Sequence, residues 1–288
     1  MIWLLLAPSL AIFFLYRIIP LGWNAVLSVQ KWSPLRPAEF AGLYHYEEMF
    51  LHDDVFWTSL RNTLVYMSSA PLGIALALAL ALLVNAGIRG RTVYRAIIFV
   101  SYPLMTVAVG IVWRWLYDEK LGLINYALRR LGLITKGIAF LDSFTWAMPS
   151  VIVAAVWQIV GFFMIILLAG LQSIPPNLQE AAAIDGADLR QRFLYITLPL
   201  LRPSLFLCLV LGIINSFTSF DLIYVMTRGG PNYATELLIT YIYRAGFVLS
   251  QLDYAAALTV VLFLLLLAVT WAANRVAGGE AGAVEAAE

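Results

Sequence analysis

The sequence predicts an all-α protein that crosses a membrane six times, and two observations carry that prediction. Of its 288 residues, 62% are hydrophobic and only 12% are charged, whereas about a quarter of the residues in a soluble domain are charged. The few charges separate six long apolar stretches, each close to the roughly 20 residues that a helix needs to cross a bilayer core. Strands of a membrane barrel are only about ten residues long and alternate in polarity, so a barrel does not fit.

The first two spans are predicted at about 2–28 and 62–85. The first contains one charge, Arg17, and its apolar run continues past Pro20, which favours a membrane helix over a short signal peptide. The second contains no charge. Small residues recur at every fourth position within it: Gly73, Ala77 and Ala81. This spacing predicts close helix packing.

The other four spans are predicted at about 96–115, 146–170, 203–226 and 254–274. Each is a nearly uncharged stretch bracketed by charged residues, although Asp221 stands inside the fifth. We expect residues 1–288 to form a single transmembrane domain. The distribution of lysine and arginine leaves the orientation open, because basic residues occur in loops on both predicted sides of the membrane.

Several classes of function are disfavoured by composition and motifs. The net charge of +1 gives no basic surface for nucleic acid, and the single cysteine, Cys208, excludes an internal disulfide framework. The sequence has no G-x-x-x-x-G-K-S/T motif to hold nucleotide phosphates. We expect no metal site, since the pair His45 and His52 is more typical of an exposed loop face than of a zinc site. Without a nucleophile motif, the chain is not expected to be an enzyme.

The segment between spans four and five, at 173–199, is the most informative loop. Two prolines stop the preceding helix, and Asn177 with Glu180 predicts a capped new helix. Asp185 and Gly186 predict a turn, because glycine accepts a positive φ. Asp188 with Gln191 predicts a second cap. The segment is therefore expected to form two short helices outside the membrane, either as a plain connector or as a docking element.

The same loop resembles the EAA signature of ABC importer permeases. The pattern runs Glu180-Ala181-Ala182, three residues, Gly186, nine residues, and then Ile196-x-Leu198-Pro199. The resemblance implies a type I ABC importer permease fold in a bacterial or archaeal inner membrane, with both termini and this loop in the cytoplasm. It also implies that eight residues couple the chain to an ATPase: Glu180, Ala181, Ala182, Asp185, Gly186, Ile196, Leu198 and Pro199.

Further motifs are similar to the sugar-type branch of that family. They are Phe220-Asp-Leu-Ile-Tyr224, Gly229-Gly-Pro231 and Tyr241-Ile-Tyr243, and they look like those of the first permease subunit of maltose and glycerol-phosphate importers. The resemblance implies import of a sugar, oligosaccharide or polyol by alternating access. The implied partners are a second, homologous permease, two ATPase subunits that carry ATP and magnesium, an external solute-binding protein and membrane lipid. No cofactor is expected in this chain.

Polar and aromatic residues within spans four and five are the candidates for the substrate pathway. Polar groups inside a membrane usually face a cavity or the bundle interior. The candidate residues are Trp157, Gln158, Phe162, Asn215, Ser216, Ser219 and Asp221. Aromatic faces beside amides and hydroxyls suit a sugar. Simpler roles stay open: serine can bond its own backbone, Trp157 can pack between helices, and Asp221 can hold a turn or pair with an arginine.

Three other functions are weighed against sugar import. A glycerol-phosphate or other non-sugar importer would favour a cation in the pathway, for which only Arg17 and Arg114 lie near span interiors. An ion-coupled secondary transporter would need an ionisable group near the membrane midplane, and Asp221 alone could serve. A membrane enzyme lacks any supporting constellation of residues.

Overall fold

The computed structural model describes residues 2–33, 36–87 and 89–285. In the first half of the chain the elements are α1 (Ile2–Phe13), α2 (Ile19–Leu27), β1 (Gln30–Ser33), β2 (Arg36–Phe40), α3 (Tyr44–Leu51), α4 (Asp54–Tyr66), α5 (Ser69–Asn85), α6 (Arg91–Phe99), α7 (Thr106–Leu116) and α8 (Leu123–Arg130). In the second half they are α9 (Ala147–Ser173), α10 (Pro176–Ile184), α11 (Leu189–Arg192), α12 (Leu198–Leu200), α13 (Arg202–Thr218), α14 (Asp221–Met226), α15 (Leu238–Tyr243) and α16 (Leu252–Glu285). Three π-helical turns complete these helices, at Phe14–Ile18, Phe193–Thr197 and Arg244–Val248.

Most of the predicted spans correspond to long apolar helices. Within the described residues, four helical stretches are long and apolar enough to cross a membrane: Leu6–Leu27, Asp54–Asn85, Ala147–Ser173 and Leu252–Arg275. A fifth combines Leu189–Leu200 with Arg202–Thr218 across a bend of 63°. The stretch predicted at 62–85 begins earlier than expected, because its helix continues back to Asp54.

The prediction that the third span, 96–115, is a single helix is wrong. The chain leaves the helical conformation between Phe99 and Thr106, so that α6 and α7 are separate. Pro103 lies in this break. Proline has no amide hydrogen, and it disfavours the helical conformation of the residue before it. The predicted fifth span, 203–226, is also interrupted, because α13 ends at Thr218 and α14 begins at Asp221.

The small residues of the second span lie in the core, as their spacing predicted. Ala77 and Ala81 are fully buried and belong to one apolar cluster with Phe163 and Leu167 of α9. Gly73 faces the same helix, since an added Cβ there would lie 3.2 Å from Ile159. The absence of larger side chains lets α5 and α9 pack closely over their length.

A second close approach depends on Gly161 in α9. A Cβ atom at this position would lie 2.4 Å from the carbonyl oxygen of Ile98 and 2.8 Å from the Cα of Phe99. Both of these are backbone atoms, so they cannot move aside as the end of a flexible side chain could. Gly161 therefore allows the end of α6 to rest directly on α9, next to the break in the third span.

We expect Gly161→Ala to lower the stability of the purified protein, because one methyl group would force two backbones apart. Overpacking of this kind costs about 1–3 kcal/mol, which corresponds to a decrease in Tm of roughly 2–10 °C for a protein of this size. The matched control is Gly22→Ala in α2, where a Cβ would meet no atom within 4 Å. Equal melting temperatures for Gly161→Ala and Gly22→Ala would contradict this account.

A small β-hairpin was not expected in an all-α protein. Strands β1 and β2 pair antiparallel, with Lys31 opposite Glu39. The backbone amide of Trp32 donates to Oδ2 of Asp253 at the start of α16, over 3.0 Å. The hairpin thus closes one end of the bundle. Strands this short carry too few residues to show an alternating pattern in the sequence.

The prediction of an exposed face for both histidines is wrong for His45. This side chain is only 5% exposed, and its Nε2 lies 3.0 Å from the carbonyl oxygen of Gln30 in the hairpin. His52 is exposed, with Nδ1 at 3.7 Å from Oε2 of Glu48. Among the described residues, no group of three or more His, Cys, Asp or Glu side chains could hold a metal ion.

The directions of the long helices define two sides of the molecule. Residues 54 and 252, where two spans begin, lie beside the hairpin, since Asp253 accepts a hydrogen bond from the amide of Trp32 and Asp53 accepts one from Tyr254. The helices α5 and α9 run parallel, with Val84 and Leu171 in one cluster near their ends. The segment 174–201 therefore emerges on the opposite side from the hairpin. We call these the hairpin side and the loop side.

Candidate coupling loop and substrate cavity

The loop between α9 and α13 forms the two short helices that the sequence predicts. Helix α10 begins at Pro176, with Pro175 at the N-cap position and no side-chain cap, so the predicted cap at Asn177 is wrong. A proline in the first turn needs no hydrogen-bond partner for its nitrogen and already has a helical φ. The helix consequently starts one residue before the asparagine.

The turn and the second cap are confirmed. Gly186 has a φ of +83°, and the amide of Ala187 donates to the carbonyl oxygen of Ala182 over 2.9 Å. After the turn, Oδ1 of Asp188 accepts from the amide of Gln191 at 2.7 Å. Oε1 of Gln191 accepts from the amide of Asp188 at 2.8 Å. This reciprocal capping box fixes the start of α11.

The predicted coupling residues fall into two groups. Glu180, Ala181, Asp185 and Gly186 are exposed around the turn, and Ala182 is half-buried beside them. Ile196, Leu198 and Pro199 are half-buried at the base of the loop. The base is tied to α10 by a hydrogen bond from Nε2 of Gln179 to Oγ1 of Thr197, at 3.0 Å. The turn is thus presented outward on a braced support.

Three exposed apolar side chains flank this turn and were not singled out in the sequence. Ile184, Leu189 and Tyr195 are 87%, 79% and 77% exposed. A shallow groove of about 350 Å³ runs between Gly186 and Tyr195. Exposed apolar groups of this kind, rimmed by charges, are typical of a surface that binds another protein. A coupling function for this surface remains a prediction.

The loop is mechanically connected to the fifth span. The π-helical turn Phe193–Thr197 follows α11 directly, and the chain then bends by 63° into α13. Helix α13 extends from the loop side to Thr218. The end of the loop and the far end of α13 therefore belong to one bent helical stretch.

Those residues line a cavity of about 300 Å³ between the spans. The described residues around it are Tyr66, Tyr102, Thr106, Ala155, Gln158, Ile159, Asn215, Thr218, Ser219, Phe220, Asp221 and Leu222. The cavity brings together four of the seven predicted pathway residues, Gln158, Asn215, Ser219 and Asp221. Asn215 and Ser219, which are four residues apart in the fifth span, therefore face the same cavity.

The break in the third span forms one wall of the cavity. Nε2 of Gln158 donates to the carbonyl oxygen of Leu104 at 3.3 Å and to Oγ1 of Thr106 at 3.2 Å. In a membrane a broken helix must find such partners for its free backbone groups. Gln158 therefore braces the break, and Tyr102 and Thr106 join the cavity as residues that the sequence reading missed.

Three predicted pathway residues are not among the residues that line the cavity. Ser216 is buried, and its hydroxyl donates to the carbonyl oxygen of Gly212 at 2.8 Å. Trp157 packs edge-on against Trp113, with ring centroids 5.9 Å apart. Phe162 stacks behind the wall on Tyr102, at 4.3 Å and an interplanar angle of 9°. Their contact with substrate stays a prediction.

Three polar side chains of the cavity have no hydrogen bond within the described part of the chain. These are the amide of Asn215, the carboxylate of Asp221 and the hydroxyl of Tyr102, all of them exposed. By contrast, the Ser219 hydroxyl lies 2.7 Å from that of Tyr66, and Oγ1 of Thr218 donates to its own helix. Asn215, Asp221 and Tyr102 are therefore the groups best placed to bind a polar solute. The described residues around the cavity include no lysine or arginine.

A compact loop supports the cavity from the hairpin side. Nη2 of Arg244 lies 2.6 Å from Oε2 of the fully buried Glu236. Burial raises the pKa of the Glu236 carboxyl, and hydrogen bonds from Thr240 and Arg244 act against that rise. Gly229, with a φ of +82°, lies so close that a Cβ would be 2.1 Å from the same carboxylate oxygen. The same Nη2 also donates to the carbonyl oxygen of Arg228 at 3.0 Å, so Arg244 ties the end of α15 to the segment that follows α14.

A larger pocket of about 610 Å³ opens on the hairpin side. One of its lining residues is Asp53, whose Oδ1 caps α4 by accepting from the amides of Val55 and Phe56. Oδ2 accepts from Tyr241 at 2.5 Å and also from Tyr254. The Asp53 carboxylate is thus fully occupied in joining three helices, and we assign it a structural role.

Comparison with known proteins agrees with this geometry. The family model of the binding-protein-dependent transport system inner membrane component matches residues 69–277. The sulfoquinovosyl glycerol transport system permease protein SmoG of Agrobacterium fabrum is 36% identical over 271 residues, which cover 93% of this chain and 87% of that protein. The sn-glycerol-3-phosphate transport system permease protein UgpA of Yersinia pestis is 36% identical over 279 residues, covering 93% and 90%.

A solved structure shows the same fold. It is a bacterial alginate ABC transporter in complex with an alginate pentasaccharide-bound periplasmic protein. The likeness has a TM-score of 0.83 at 25% identity and covers 95% of this chain and 92% of that one. The family match spans well over half of the sequence, including the loop and all but one of the residues that line the cavity. This chain therefore belongs to the family of binding-protein-dependent transport system inner membrane components, the permeases of ABC importers.

Proposed function

We propose that this permease is one of two transmembrane subunits of an ATP-driven importer for an uncharged, polyhydroxylated solute such as a sugar, oligosaccharide or polyol. The observation that carries the proposal is the family match over residues 69–277, together with the braced and exposed turn at Gly186. A second, homologous permease would complete the cavity. Two ATPase subunits would bind ATP and magnesium, since this chain has no phosphate-binding motif.

The orientation follows from the proposed docking of the ATPase. The loop side faces the cytoplasm, with both termini, and the hairpin side faces outward. Arg89, Arg91 and Arg95 then lie on the cytoplasmic side, where basic residues of short loops accumulate. A solute-binding protein would deliver its load to the hairpin side. The solved alginate transporter, in complex with a periplasmic protein, supports that arrangement.

The transport step uses the connection from loop to cavity. ATP-driven closure of the ATPase subunits would displace α10 and α11, and the bend after Phe193–Thr197 would transmit the motion to α13. Asn215 near the end of α13 and Asp221 beyond it would move relative to the fixed wall at Gln158. Alternating access requires that the nucleotide-bound ATPase bind one of the two permease states more tightly than the other.

The charges around the cavity favour an uncharged solute. The similar proteins are named for anionic solutes: glycerol phosphate, sulfoquinovosyl glycerol with its sulfonate group, and the acidic polysaccharide alginate. The described lining of this cavity instead contains a carboxylate, Asp221, and no cation. A carboxylate and an amide together can accept and donate hydrogen bonds to sugar hydroxyls. The alternative is an anionic solute, for which the second permease would have to supply a positively charged side chain.

Co-purification tests the proposal directly. We expect a tagged chain, expressed with its neighbouring genes, to bring down a second permease and an ATPase, and to hydrolyse ATP faster when the loaded binding protein is added. Replacing 180–187 by a flexible glycine–serine segment of equal length should release the ATPase and retain the second permease. A chain that purifies without an ATPase and takes up solute on an ion gradient would contradict the proposal and favour a secondary transporter.

A further inference from the structure

Four aromatic side chains form a connected row that begins at the cavity: Phe220, Tyr224 and Tyr243 all contact one another, and Phe247 extends the row from Tyr243. Phe220 lines the cavity, and its ring centroid lies 5.0 Å from that of Tyr224 and 5.0 Å from that of Tyr243. Tyr243 in turn lies 5.4 Å from Phe247, with the two rings inclined by only 29°. The steps between rings are similar in length to one hexose unit of an oligosaccharide.

The row is built from two pairs of residues spaced by four. Phe220 with Tyr224 and Tyr243 with Phe247 each occupy one face of a helical segment, as this spacing requires. The other face of the second segment packs on α16, where a Cβ on Gly246 would lie 3.2 Å from Ala255. The aromatic face of that segment consequently points away from the core.

The rings are not covered by their own chain as core residues would be. Phe220, Tyr224 and Tyr243 are half-buried, and Phe247 is 72% exposed. Phe247 lies five residues before the last span begins, on the hairpin side. The row therefore extends from the cavity toward the side on which the solute would arrive.

The chemistry of the row is that of a sugar-binding surface. Aromatic faces are large, rigid and apolar, and the two tyrosines add hydroxyl groups at the edge. The neighbouring cation, Arg244, is already engaged, because its Nη2 donates to Glu236 and to the carbonyl oxygen of Arg228. Its charge is therefore neutralised locally and does not compete with the aromatic rings for the solute.

We propose that Phe220, Tyr243 and Phe247 form an entry track on which the apolar faces of neutral sugar rings stack before they reach Asn215 and Asp221. The inference rests on the proposed function and extends the binding site from the cavity to the hairpin side. Continuity with the cavity through Phe220 favours a sugar as the occupant. The competing occupant is the second permease, which would use the same rings as a packing surface.

Fluorine NMR of the complete transporter in lipid nanodiscs tests this proposal. 4-Fluorophenylalanine is placed at Phe247 and, as a matched control, at Phe144, which is 68% exposed on a loop. Methyl β-D-glucopyranoside and maltotriose are the probes, with glycerol as the solute lacking a sugar ring. Spectra are recorded with and without a non-hydrolysable ATP analogue, so that both access states are sampled.

We expect saturable shifts at position 247 with both sugars and none at 144 or with glycerol. Tyr243→Leu should weaken the response at 247 about fivefold, the loss of one stacking partner. No sugar-dependent shift at 247 in either nucleotide state would overturn the inference. So would loss of the second permease on Phe247→Leu, which would identify the row as a subunit interface. ATP hydrolysis and ATPase co-purification, measured on the same samples, report separately on the proposed function.

Discussion

Gly186→Trp is expected to abolish ATP-driven uptake while the permease itself remains folded. Nothing lies within 4 Å of a Cβ at this position, and the turn is exposed, so a larger side chain has room to point away from its own chain. The positive φ costs a non-glycine residue about 1–2 kcal/mol, which is small beside the stability of a long helical bundle. The side chain would instead occupy the space that a docked ATPase needs at the turn.

The matched control is Gly186→Asn, because asparagine tolerates the left-handed conformation better than other side chains and is much smaller than tryptophan. We expect this control variant to retain most of the binding-protein-stimulated ATP hydrolysis. Gly186→Trp should lose about tenfold or more, equivalent to at least about 1.4 kcal/mol of docking energy. Both variants should melt at nearly the same temperature. Unchanged co-purification and hydrolysis for Gly186→Trp would show that the turn does not contact the ATPase.

The loop was predictable from the sequence because its structure is local. The turn at Gly186 and the capping box of Asp188 depend on residues within four positions of one another, and both are present. The error at Asn177 has the same local origin. Two candidates for the helix start compete there, and the fixed φ of Pro176 prevails over the capping side chain.

The positions of the spans were predictable from the sequence. Whether each span is one unbroken helix was not. The spacing of charges reports which segments avoid water, and it says nothing about whether the backbone stays helical inside the membrane. Pro103 was the available signal for the break between α6 and α7. A proline can also be accommodated in a merely kinked helix. Only the packing of Gly161 against Ile98 and the hydrogen bond from Gln158 to the carbonyl oxygen of Leu104 show that the helix is interrupted here.

The cavity could be predicted only in part, since it depends on how each helix is rotated about its axis. Of the polar candidates in the fifth span, Asn215 and Ser219 line the cavity, whereas Ser216, next to Asn215, points into the helix packing. Neighbouring residues of a helix differ by about 100° in direction. Tyr66 and Tyr102 come from other spans, and no spacing within the sequence relates them to Asn215.

Asn215→Ala is expected to reduce uptake about tenfold or more without disturbing assembly. The amide is exposed to the cavity and makes no hydrogen bond within the described residues, so its removal costs the fold almost nothing. Its loss would leave a polar group of the bound solute unpaired, at a cost of about 1–3 kcal/mol. Asn24→Ala is the matched control, because that amide donates to Pro20 within its own helix. Equal uptake by both variants would remove Asn215 from the pathway.

Asp221→Asn is expected to change the uptake of a neutral solute and the uptake of an anionic solute in opposite directions. The change keeps the shape of the side chain and removes the one formal charge among the described residues that line the cavity. An ionised carboxylate accepts stronger hydrogen bonds than an amide, so uptake of a neutral sugar should fall several-fold. An anionic solute would be repelled by the carboxylate, and its uptake should rise in the same variant. A rise in uptake would therefore contradict the uncharged solute proposed here, and the cation for that solute would then have to be sought on the second permease.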